Sequence, residues 1–93
     1  MSLWKVEIDD DFIDLIELMD VEQQKVIAAL QNILIASGPD GIGVRSSELE
    51  GVPSWESLGS VVSVPARQQI AGQIRTIFLE IYPDFKVVIV RLE

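Results

Sequence analysis

Five side chains carry what chemistry this sequence offers: Arg75, Tyr82, Arg67, Lys86 and Arg45. Arg75 opens a β-branched and aromatic run, Gln73 to Tyr82, and its guanidinium suits bidentate anion binding. Tyr82, the only tyrosine, ends that run and is the one hydroxyl of its kind for acid–base work. Arg67, Lys86 and Arg45 are the further cations able to join an anion-binding cluster around Arg75. Each has a plainer role: an exposed ion pair worth about 0–1 kcal/mol for the cations, a hairpin cap for the tyrosine. The chain has no cysteine and no histidine, so it lacks thiolates, disulfides and the commonest general base. No metal site and no cofactor is expected. The acidic run Asp9-Asp10-Asp11-Asp14 lacks the spacing and central glycine of a calcium loop and reads as helix-start carboxylates. Gly38 to Gly43 lacks the Gly-Lys-Ser/Thr of a phosphate loop and reads as a turn.

The elements that would position these residues follow from periodicity. Trp4, Val6 and Ile8 alternate with polar residues, a short strand. Phe12, Ile16 and Met19, with Leu15 beside them, form a helical stripe after N-cap candidates Asp9 to Asp11. Asp20-Val21-Glu22-Gln23 is a capping box that starts a second helix, Val21 to Ser37, ended by Gly38-Pro39. Val26, Ile27, Leu30, Ile33 and Leu34 give its apolar stripe. The two helices are expected as a tight antiparallel hairpin. A second strand is expected between Trp55 and Val64, broken by Pro65, and Ala66 to Gly72 as a connection. Residues 74–82 and 85–92 then make a hairpin across Pro83-Asp84, with Ile77, Leu79, Val88 and Val90 inward. The order is β-α-α-β-β-β, an α+β domain over residues 1–93 with a small antiparallel sheet packed against an N-terminal helical hairpin.

Fifteen acidic against seven basic residues give a net charge of −8, which opposes nucleic-acid binding by the chain as a whole. Eight carboxylates and no base lie between Glu7 and Glu22, whereas residues 65–93 hold four bases against three acids. The second half can therefore still present a basic face. No apolar run approaches the roughly 20 residues of a membrane span. The start, Met1 to Lys5, has no secretion-signal pattern, so a cytoplasmic protein is expected.

Trp4-Lys5-Val6, the Phe12–Ile16 stripe, Gly38-Pro39, Leu49-Glu50-Gly51 and Ile74-Arg75-Thr76-Ile77-Phe78, in this order and spacing, resemble the RelE/ParE superfamily of toxin–antitoxin toxins. The nearest look is to its HigB-like, phage-derived branch. That resemblance implies a ribosome-dependent mRNA endonuclease with Arg75 at the family's third-strand arginine; Tyr82 is a catalytic candidate only as the chain's single tyrosine. The resemblance also implies a cognate antitoxin, the ribosome and mRNA as partners, a homodimer, and no membrane. The second-strand arginine of many members has no counterpart around Leu58-Gly59-Ser60, and the family's C-terminal histidine, tyrosine or lysines none before Glu93. A divergent, catalytically weak member is therefore expected. The other readings are a non-catalytic protein-interaction domain of the same fold and an acidic nucleic-acid mimic.

Overall fold

The computed structural model describes residues 3–93; Met1 and Ser2, part of the Met1–Lys5 stretch read above, lie outside them. The elements are β1 (Lys5–Ile8), α1 (Asp10–Glu17) and α2 (Val21–Ser37), then β2 (Val62–Ile70), β3 (Gln73–Tyr82) and β4 (Lys86–Leu92). Short 3-10 turns at Gly38–Ile42, Ser46–Glu48 and Trp55–Ser57 fill the connection between α2 and β2. The strands form one sheet in the order β1-β4-β3-β2. The α+β class and the order of helices and strands are as expected. The uniformly antiparallel sheet is not: β1 runs parallel to β4, while β2–β3 and β3–β4 are antiparallel. Tight turns force antiparallel neighbours, but β1 reaches β4 through a connection containing both helices, which permits parallel pairing.

Local chemistry explains the helices. Phe12 and Ile16 place the inward stripe of α1, with Phe12 fully buried and Met19 packing on the core just beyond the helix. Asp20 caps α2 by accepting the Gln23 backbone N–H at 2.9 Å. The Gln24 side chain donates to the Ile16 and Met19 carbonyls at 2.9 and 3.1 Å, which ties the last turn of α1 to the first turn of α2. Gly38 ends α2 at φ +69°, and a Cβ there would lie 2.3 Å from the Trp4 indole. Trp4 in turn meets Trp55 and Phe85 edge-on, with ring centroids 6.2 and 5.2 Å apart.

The core lies between the helices and one face of the sheet. Ile27, Leu30 and Leu34 of α2 pack with Val64, Ala66 and Ile70 of β2, Ile77, Leu79 and Ile81 of β3, and Val87 and Ile89 of β4. Three expectations shift. Ile33 is 40 % exposed, at the margin of the α2 stripe. Val88 and Val90 are half-buried on the opposite sheet face, and Val87 and Ile89 occupy the core in their place. Residues 87–90 are apolar without interruption, so alternation gives no phase there; the register with β3 sets it. Finally, β2 does not stop at Pro65 but runs through it to Ile70. Ala71 (φ +51°) and Gly72 (φ +80°) then form a two-residue turn into β3. The β3–β4 hairpin pairs as expected, with Phe85 joining Pro83 and Asp84 in the loop.

Candidate functional site

The two expected catalytic residues do not meet. Arg75 stands opposite Gln68 on the helix-facing side of β3. Its Nε donates to the backbone carbonyl of Glu93 at 3.3 Å, beside the two backbone bonds that Thr76 exchanges with Glu93. Tyr82 lies seven positions further along β3 and on the other face. Seven strand residues span about 23 Å, too far for one phosphate to touch both side chains. The Tyr82 hydroxyl donates to the Glu80 carboxylate at 3.2 Å. That hydrogen bond raises the tyrosine pKa, which makes its proton harder to release.

Lys86 is likewise engaged. Its ammonium sits 3.0 Å from the Glu7 carboxylate and 4.8 Å from the Tyr82 ring centroid. The hydrogen bond and charge of Lys86 hold the Glu7 pKa down, and Glu7 raises that of Lys86 in return. On the same open face Arg91 stacks over Phe78 at 4.1 Å. Arg91 also pairs with the Glu93 carboxylate at 2.6 Å, so the cations of this face are laid over aromatic and aliphatic side chains and matched by carboxylates.

Arg45 and Arg67 both border the β2 edge of the sheet, on its two sides. The loop 42–49 runs beside β2 and leaves a groove of ≈ 480 Å³, whose walls include Val44, Arg45, Glu48, Val64, Ala66 and Arg67. The Gln68 side chain donates to the Ile42 carbonyl at 2.8 Å and fixes the loop against the strand. Strand geometry decides what this edge offers. In a two-residue hairpin the residues flanking the turn, Ile70 and Gln73, point their backbone groups at each other, and the direction alternates from there. Ile70, Gln68, Ala66 and Val64 therefore bond to β3, while Gln69, Arg67, Pro65 and Ser63 turn their backbone groups outward. Among the described residues these outward groups make no backbone hydrogen bond to another segment. Pro65 sits at one of the outward positions, where its missing N–H costs the sheet nothing. The side chains of Val64 and Ala66 face the helices and floor the groove; that of Arg67 stands on the other side, with Gln69 and Ile74 around a shallow depression.

Sequence reasoning named both arginines but not the groove. The informative signal was Pro65 inside a β-rich run, which marks an edge strand as readily as a break. Among the described residues no group of three or more carboxylates is placed to hold a metal ion, and no helix is long and apolar enough to cross a membrane. No family model, curated protein or solved structure matches this chain.

Proposed function

We propose that this chain acts by binding another protein, taking an extended segment of its partner along the open edge of β2. The observation that carries this reading is an unpaired nine-residue edge strand with a grooved wall on one side and a cation above and below. A strand added at a sheet edge sends its side chains alternately to the two faces. One set would enter the groove over Val64 and Ala66, near Arg45; the other would pass Arg67. A partner segment alternating apolar and acidic residues matches both. Pro65 withholds one donor, so pairing rests on Ser63, Arg67 and Gln69. Within the RelE/ParE resemblance the partner would be the cognate antitoxin.

The separation of Arg75 from Tyr82 supports binding over RNA cleavage, because phosphodiester chemistry needs its cations and its proton carrier on one phosphate. Two measurements test the reading. An extended peptide alternating Val and Glu is expected to bind the chain, and a Val–Lys peptide of equal length is not. Ribosome-programmed mRNA is expected to remain intact in the presence of the chain, and induced expression to leave bacterial growth unchanged for both the parent and Arg75→Ala. Growth arrest by the parent, abolished by Arg75→Ala in a folded protein, would replace this reading with the nuclease one.

A further inference from the structure

Two neighbouring positions on the open-face side of the β2 edge differ in chemistry. In the register of β2 with β3, Arg67 stands opposite Thr76 and Gln69 opposite Ile74. Arg67 is exposed, and among the described residues its side chain makes no ion pair and no hydrogen bond. Its neighbours on this face, Pro65, Gln69 and Thr76, are uncharged. The chain has 15 carboxylates, yet none is spent on this cation.

Ile74 is 67 % exposed, and among the described residues it is the one large apolar side chain on a strand left so open to water. Other rings on this face are covered from within the chain. Arg91 lies over Phe78 at 4.1 Å, and Lys86 over Tyr82 at 4.8 Å. Ile74 instead borders a shallow depression of ≈ 410 Å³, shared with Arg67, Gln68 and Gln69. An isolated exposed aliphatic on a surface is ordinary. This one lies beside an uncommitted cation and one strand in from an unpaired edge.

We propose, resting on β2 as the edge that takes a partner strand, that the bound segment carries two unlike residues toward the open face. A carboxylate stands across from Arg67. Two positions away, across from Gln69, a long apolar residue such as phenylalanine reaches over Gln69 to Ile74. Residues two apart on a strand share a face, so one segment can present both. An added strand lies about 5 Å from β2 and about 10 Å from β3. A short side chain stops above Gln69; aromatic and other long side chains reach past their direct neighbour. The reverse order is disfavoured twice. An apolar residue across from Arg67 would cover its guanidinium without a partner, and an acid across from Gln69 would leave Ile74 in water. The partner is thus a segment with an acid and a long apolar residue on the same face, rather than one with acids all along it.

Titration calorimetry with the full chain tests this. Two copies of the Val–Glu peptide are compared, with the central Glu replaced by Phe in one and by Thr in the other. Their charges are equal, and Glu residues on both sides make the comparison independent of strand direction. The Phe peptide is expected to bind about tenfold more tightly than the Thr peptide. Ile74→Ser is expected to bring the two to equal affinity, and Arg67→Gln to weaken both. Ile74 is exposed, and Ile74→Thr, which keeps the β-branch, replaces Ile74→Ser if that variant loses its native circular dichroism. Equal affinity of the two peptides for the parent would overturn the Ile74 position while leaving β2 as the binding edge. A Phe advantage that survives both Ile74 variants would place the ring elsewhere and overturn it as well. If neither peptide binds, the edge reading itself falls and the proposal with it.

Discussion

The two edges of the sheet are built differently. The β1 edge is four residues long and passes at once into α1. Just before it, Trp4 is clamped between Gly38, Trp55 and Phe85. The β2 edge is nine residues long, carries a groove, and is interrupted only by Pro65. Edge strands invite pairing with other chains, and folds limit this by shortness, by covering or by proline. One edge of this sheet is short and anchored by aromatic packing. The other is left long, with proline in the middle and arginine beside it. The pairing capacity of the sheet is thus directed to one side, and the proline makes that side poor at pairing with its own copy.

The largest effect is expected on the closed edge. Gly38→Ala puts a methyl group into the Trp4 indole at a positive φ, and should cost about 3 kcal/mol of stability in urea unfolding. A change under about 0.5 kcal/mol, the size of a surface substitution, would mean Trp4 does not anchor that edge.

Next come the two faces of β4. Val87→Ala removes a fully buried side chain and should cost about 2 kcal/mol, by loss of two methyl groups and the cavity left behind. Val88→Ala, on the open face, should cost about half as much or less. Equal losses would show both faces covered and remove the open face from the account.

This pair also shows where the sequence was legible. The helices, the Asp20 cap and the β3–β4 hairpin could be read because spacing and turn residues agreed at each; the first helix starts after Asp9 without a side-chain cap. The phase of Val87 to Val90 could not, since four apolar residues in a row suit either face. The β2 strand was misjudged at Pro65 because a proline at an outward-facing edge position breaks no ladder bond, and sequence does not say which positions face outward. Arg75 and Tyr82 were legible as candidates, and their odd separation on one strand already puts them on opposite faces; their engagement by the Glu93 carbonyl and the Glu80 carboxylate was not legible. The groove depends on a loop, 42–49, held against the sheet by the Gln68 bond and by the packing of Ile42, Val44 and Leu49 on the core, contacts that lie far apart in sequence.

The open edge should respond to charge without responding in stability. Arg67→Glu, at the exposed position the acidic side chains pass, is expected to weaken binding of the Val–Glu peptide by about tenfold, or 1.4 kcal/mol, with the unfolding midpoint unchanged within about 0.5 kcal/mol. Unchanged affinity in titration calorimetry would remove Arg67 from the site.

The smallest effect concerns the Glu7–Lys86 pair, on the open face next to the closed edge. The Glu7 pKa is lowered, so its contribution to stability is present above the ordinary glutamate value and is lost as pH falls through the lowered one. The Lys86 pKa is raised, so its contribution is present below the ordinary lysine value and is lost as pH rises through the raised one. Both side chains are well exposed, so the effect is slight. Melting temperatures of the parent and Glu7→Gln should differ most between those limits and converge beyond them on both sides. A constant difference at all pH values would assign the loss to packing.

Amide hydrogen exchange along β2 tests the central claim most directly. Arg67 and Gln69, which turn outward, are expected to exchange quickly in the free chain and slowly with the Val–Glu peptide bound. Ala66 and Gln68, bonded to β3, are expected to exchange slowly in both states. Outward amides that are already protected in the free chain, or that keep their rates when the peptide is bound, would contradict an open edge as the binding site.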